Sequence, residues 1–174
     1  MWDFILKDLF ESVMQHLFYG LIISFFVTAG VMILCRAAGI SKTKRDILMF
    51  YLLVTYIICI LQIALFSREP GSRDGIDMEL FSTWRDSPMA RAYVIENIIM
   101  YLPFGYFFMY FSKNTFSIVT CVLAAGTSSL TIEIVQLITE RGYFQLDDIV
   151  MNTVGAIAGI ILYYVLRRIG KILF

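Results

Sequence analysis

The chain has 174 residues with 14 basic and 14 acidic side chains and one histidine, so its formal charge is zero. Hydrophobic residues make up 59%, aromatics 16% and charged residues 16%, with a mean hydropathy of +0.77. A soluble domain of this length cannot bury that much apolar surface. The neutral balance, with no exposed basic domain, also argues against a nucleic-acid partner.

The opening segment MWDFILKDLFESVMQH (1–16) repeats Trp2, Ile5, Leu6, Leu9, Phe10 and Val13 at helical spacing, which predicts a short interfacial helix. It lacks a basic leading region and a small-residue cleavage site, so no cleaved signal peptide is expected. From residue 17 to 174 the sequence reads as one membrane domain without repeats. Five apolar runs follow, over 17–34, 47–66, 93–111, 115–138 and 149–166. Each approaches the length of about 20 residues that crosses a hydrocarbon core as a helix. Lipid offers no partner to an exposed backbone group, so the predicted fold is all-α, a polytopic transmembrane helix bundle of about five spans.

Basic residues predict the orientation. Arg36, Lys42, Lys44 and Arg45 lie between spans one and two, Lys113 between three and four, and Arg167, Arg168 and Lys171 after span five. These segments share a side in a five-span chain, and the positive-inside rule assigns them to the cytoplasm. The N-terminus, the long loop 67–92 and the loop TERGYFQLDD are then outside, with nearly all the acids at or near that face.

The sequence asks for no cofactor or metal. His16 is alone and reads as an interfacial residue. Cys35, Cys59 and Cys121 fall in or at the inner ends of spans, where they act as small apolar residues. No glycine-rich phosphate loop, CxxC, HExxH or GxSxG occurs.

The stretch TIEIVQLITERGYFQLDDIVMNTVGA (131–156) is unusual for its surroundings. Span four rises from the cytoplasm, so Glu133 lies about 27 Å along it, in the outer third. Gln136 shares its face at i+3. Asp147 and Asp148 open span five, with Asn152 a turn below, while Glu96 and Asn97 open span three. Three helices thus bring polar groups to one level. Simpler roles exist for most of them. Either aspartate can cap span five, Pro103 can kink span three, and Glu140 and Arg141 can be solvated loop charges. Gly155 and Gly159 have the spacing of close helix packing. The aromatic set Tyr101, Tyr106, Phe107, Phe108, Tyr110 and Phe111 reads as lipid-facing and core packing rather than a binding cage. Glu133 has no such reading, because an acid inside a span faces a polar interior and usually has a partner.

ENIIMYLPFGYFF (96–108), then EIVQ, an Arg and DDIVMNTVGAIAG (147–159) together resemble the VanZ-like family of bacterial membrane proteins. The matching positions are Asn97, Pro103 and Gly105, then Glu133 and Gln136, Arg141, and Asp148, Asn152, Thr153 and Gly155. IDMELFSTW (76–84) resembles the family's segment ahead of this region, without its usual Pro. Gln145 stands where many members have an acid, and the partner of Arg141 stays open. The resemblance covers about residues 76–166. It implies a multi-pass protein of the bacterial cytoplasmic membrane, in a family whose namesake is an accessory resistance factor against teicoplanin-type glycopeptides.

Three readings of the cluster follow. In the first, Asn97, Glu133, Gln136, Arg141, Asp148 and Asn152 line an outward-facing site for an amphiphile. Its partners would be membrane lipids, a lipid-linked cell-wall precursor or a lipid-tailed glycopeptide, with Arg141 gripping a phosphate or carboxylate at two points. In the second, the protein is an intramembrane enzyme in which Glu133 and Asp148 act as acid and base, or hold a divalent cation, on a lipid-linked substrate. In the third, the network only fixes helix packing.

Overall fold

The computed structural model describes residues 2–66, 69–71, 75–82, 88–112 and 117–173, with the side chains of 2–16, 88–89 and 171–173 left aside. Lys113, Thr115 at the expected start of span four, parts of the loop 67–92, and the side chains of His16, Lys171 and the N-terminal apolar face lie outside that description.

The elements in chain order are α1 (Trp2–Ala37), α2 (Lys44–Leu61), β1 (Ile76–Asp77), α3 (Pro88–Phe111), α4 (Ser117–Ile138), β2 (Phe144–Gln145) and α5 (Leu146–Leu173). A π-helical turn, Gln62–Phe66, extends α2. Among the described residues five helical stretches are long and apolar enough to cross a membrane: Leu17–Ala37, Lys44–Phe66, Ala90–Phe111, Ser117–Ile138 and Leu146–Gly170. The all-α, five-helix expectation therefore holds, with two short paired strands added. α1 runs unbroken through residues 16 and 17, so the interfacial segment and the first span are one helix.

The chain forms two compact units. Asp8–Ser67 makes one, and Arg68–Phe174 with Met1–Lys7 makes the other.

In the first unit, α1 and α2 meet through small residues. Gly20, Ser24 and Thr28 recur every fourth position and are buried. The Thr55 hydroxyl donates to Ser24 Oγ at 2.8 Å and Tyr51 OH to the Leu21 carbonyl at 3.3 Å. Ser24 also donates to the Gly20 carbonyl. Small residues let two helices approach closely enough in lipid for such bonds to form. α1 ends in a Schellman motif, with Gly39 at φ 73°. The Gly39 amide bonds Arg36 O at 3.0 Å and the Ile40 amide bonds Cys35 O at 2.8 Å. A left-handed residue closes the helix there, and glycine adopts that conformation without a Cβ clash. Thr43 caps α2, accepting the Asp46 amide at 3.1 Å and donating to Asp46 Oδ2 at 2.7 Å.

In the second unit, α5 packs chiefly on α3 and also on α4. The α3–α5 contact is backbone against backbone. A Cβ on Gly105 would overlap the Ala156 carbonyl, one on Gly155 the Ile98 carbonyl, and one on Gly159 the Leu102 carbonyl. The packing role expected for Gly155 and Gly159 is the one they perform, and Gly105 shares it. Pro103 sits inside α3, which continues past it to Phe111. Met109, Cys121 and Ile160 join the three helices in a core flanked by Phe104, Phe108, Val122 and Tyr163. α4 buries Ser117, Cys121, Ala125, Ser129, Glu133 and Gln136. Apart from the last step these recur every four residues, so one face of α4 runs from small side chains to longer polar ones along its length.

Candidate functional site

The polar end of that face lies under two loops. β1 and β2 pair in parallel, Ile76 opposite Phe144 and Asp77 opposite Gln145, and the Phe144 amide donates to Gly75 O at 2.9 Å. This brings the segment ahead of α3 against the segment ahead of α5. Two buried carboxylates hold the arrangement. Glu133, 2% exposed, accepts the Gln145 amide at 2.9 Å. Asp147, also 2% exposed, accepts the Phe81 amide at 2.6 Å. Hydrogen bonds from backbone amides to a charged acceptor are roughly twice as strong as neutral ones, which offsets part of the cost of burying each carboxylate.

A second layer lies just below. The Asn152 amide group donates to Ser129 Oγ at 2.8 Å, tying α5 to α4. Tyr101, 1% exposed, places its hydroxyl 3.3 Å from Ser128 Oγ. That ties α3 to α4. All three helices are therefore joined at one level by polar side chains, and the member from α3 is Tyr101, where the sequence points to Asn97. Asn97 itself is half-buried next to Ile98, whose carbonyl packs on Gly155, and this sets it within about a turn of the Asn152 level.

The loop chemistry is strained in two places. α4 closes in a second Schellman motif, with the Glu140 amide on Leu137 O at 3.1 Å and the Arg141 amide on Gln136 O at 2.9 Å. The left-handed position that Gly39 fills in α1 is here filled by Glu140, φ 52°. Phe81, the residue whose amide Asp147 holds, has φ 63°. A bulky residue in this region is an outlier that persists only when its surroundings fix it. Asp77 braces the same loop: Ser82 Oγ donates to its Oδ2 at 2.6 Å and the Glu79 amide to its Oδ1 at 2.9 Å. The Ser82 hydroxyl and then the Glu79 amide hold the Asp77 carboxyl below its ordinary value. Outside this frame Ile76, Met78, Leu80, Phe81 and Tyr143 are exposed apolar side chains.

The sequence-predicted residues are thus distributed as follows. Glu133, Gln136 and Asn152 are buried together in the polar layer, and Arg141 is half-buried where α4 turns into the loop. Asp148 is half-buried in the first turn of α5. Capping of α5 by either aspartate is not what is found, because the helix already starts at Leu146. Both acids stand in its first turn, where the helix dipole favours them. Among the described residues no three His, Cys, Asp or Glu side chains converge as a metal site.

Asp147, Ser129 and Tyr101 are members of the layer that the motif does not name. Asp147 had a signal in the sequence: counted back about two turns from Gly155, it extends the Gly155–Gly159 stripe that faces α3. Tyr101 had none, since it sits among aromatics that serve as packing.

The fold and this end of it define a multi-pass helical membrane protein whose three best-packed helices are closed by a polar layer and two clasped loops. A family model described as VanZ/LLP1 matches residues 47–167, well over half the chain, and the protein belongs to that family. No curated protein and no solved structure matches it.

Proposed function

We propose that this protein acts at the outer face of the bacterial cytoplasmic membrane on an amphiphile of the cell envelope, with the clasped loops as the recognition surface. The amphiphile has a polar, anionic-bearing head and an apolar tail, as in a lipid-linked wall precursor or a lipid-tailed glycopeptide. The observation that carries this reading is the double clasp, Glu133 on the Gln145 amide and Asp147 on the Phe81 amide. Two buried carboxylates are committed to holding loops; Arg141 belongs to the turn that Glu133 braces, and Ile76, Met78, Leu80 and Phe81 are exposed on the loop that pairs with it. A guanidinium suits a phosphate or carboxylate, and an exposed apolar rim at a helix end suits the start of a lipid chain.

In this reading Glu133, Gln136 and Asn152 are positioning residues, while Asn97, Arg141 and Asp148 face the ligand's polar part. The outward orientation rests on the positive-inside rule, which favours the cytoplasm for Arg36, Lys42, Lys44 and Arg45 and, in a five-span chain, the opposite side for the loops ahead of α3 and α5.

The test is protection against a teicoplanin-type antibiotic in a sensitive bacterial host, at matched membrane levels. Glu133→Gln, Arg141→Gln and Asp148→Asn are expected each to reduce protection, Arg141→Gln most. Unchanged susceptibility in all three would remove the loop end from the function.

A further inference from the structure

We propose that the α1–α2 unit carries a binding site for an anionic phospholipid, distinct from the loop end. Two cavities lie along this helix pair and share Met32 and Ile47 in their walls. The first, about 330 Å³, is lined by Arg36, Lys42 and the Gly39 turn. The second, about 390 Å³, continues from it between Phe25, Leu48 and Tyr51, with Lys44 also in its wall. Each is of a size that holds small ligands. A cationic mouth that opens into an apolar groove matches one molecule with a phosphodiester head and an acyl chain.

The charge at the mouth is one-sided. Arg36, Lys42 and Lys44 are exposed and line the two cavities, whereas the nearby acid, Asp46, lines neither. Basic residues at the end of spanning helices attract anionic head groups, with an interaction that fades as salt is added. The groove also holds a polar group with nothing to bond. Thr28 lines the second cavity, is 6% exposed, and its hydroxyl has no hydrogen-bond partner among the described residues. One turn away, Ser24 on the same face has both Gly20 O and Thr55 Oγ1. A buried hydroxyl left without a partner destabilises the fold, and a ligand that accepts it removes that cost. Thr28 stands about two turns from Arg36 along α1. The ester carbonyls of a glycerophospholipid lie on the chain side of its phosphate, and one of them would accept this hydroxyl.

The experiment uses the full chain purified in detergent. Short-chain phosphatidylglycerol, phosphatidylcholine of the same chain length, and inorganic phosphate are titrated while the thermal unfolding midpoint is followed. Phosphatidylglycerol should raise the midpoint saturably, at a concentration at least tenfold lower than phosphatidylcholine, with the gap narrowing in high salt. Inorganic phosphate should leave it unmoved. Arg36→Gln with Lys42→Gln, both on exposed side chains, should weaken phosphatidylglycerol at least tenfold and leave phosphatidylcholine unchanged. Thr28→Val should weaken both lipids alike by about threefold. Equal response to the two lipids, a phosphate response matching that of phosphatidylglycerol, or a double variant that binds phosphatidylglycerol as the wild type does would each overturn the site.

Discussion

Gln145 donates its backbone amide to Glu133 Oε2 at 2.9 Å, across a separation of twelve residues that takes in the whole turn from α4 to α5. The acid that stands out in the sequence is thus a brace for the loop beside it. Its removal acts on that loop before it acts on any ligand. Glu133→Gln keeps an oxygen acceptor and loses only the charge, whereas Glu133→Ala strands the Gln145 amide. The alanine variant should lose about 1–3 kcal/mol and the glutamine variant clearly less. Thermal unfolding in detergent checks this, and equal losses would mean that the bond contributes nothing.

Phe81 and Glu140 both hold positive φ, and they should respond differently to glycine. A left-handed conformation costs an L-residue about 1–2 kcal/mol, while glycine loses about 0.5–1 kcal/mol more chain entropy on folding. Glu140→Gly should therefore raise stability by up to about 1 kcal/mol. Glu140→Ala should not. Phe81→Gly relieves the same strain but gives the loop freedom against the pull of Asp147, so stability should hold while antibiotic protection falls. A Phe81→Gly variant with full protection would place Phe81 outside the recognition surface.

The α3–α5 contact leaves no room for a methyl group at Gly155 or Gly159. Alanine at either should cost about 1–3 kcal/mol, the range for overpacking. Gly30 on α1 meets nothing within 4 Å, so Gly30→Ala should be neutral or slightly stabilising through helix propensity. The paired comparison separates crowding from a general intolerance of substitution in the spans.

Asp77 gives the loop a pH dependence of known sign. Its carboxyl is held below the ordinary aspartate value by Ser82 and the Glu79 amide, so the folded loop favours the ionised form. That stabilisation is fully present above the unfolded value near 4 and is lost as pH falls through the lower folded value. Protection of the Glu79 amide, its exchange rate relative to that of the unfolded chain at the same pH, should hold down to about pH 4 and fall in stronger acid. Asp77→Asn should abolish the dependence and Ser82→Ala should move it to higher pH. A wild-type protection that is the same at all these pH values would show that the Asp77 bond is not formed.

How far the sequence discloses this molecule depends on which interaction decides each feature. Spans are legible because hydropathy over about 20 residues is a local property. The Gly155–Gly159 contact is legible from its spacing, and Glu133 from its cost in a membrane. The α1–α2 pairing through Gly20, Ser24 and Thr28 had a readable four-residue pattern that hydropathy masks. The β1–β2 pairing was not legible, because two residues a side carry no periodicity and their partners are 68 positions apart in register, Ile76 with Phe144. Nor was the division of labour between the adjacent acids. Asp147 and Asp148 differ by one step of a helix, about 100° around its axis, and only the placement of Phe81 shows that Asp147 holds its amide.

The most direct measurement of the recognition surface is equilibrium binding of a lipid-tailed glycopeptide to the purified protein, beside the same glycopeptide without its tail. The wild type should bind the tailed molecule at least tenfold more tightly. Arg141→Gln, with an unfolding midpoint matching the wild type, should lose at least tenfold of that affinity. Equal binding of tailed and tail-less molecules, or an Arg141→Gln protein that binds as well as the wild type, would contradict the assignment of this surface.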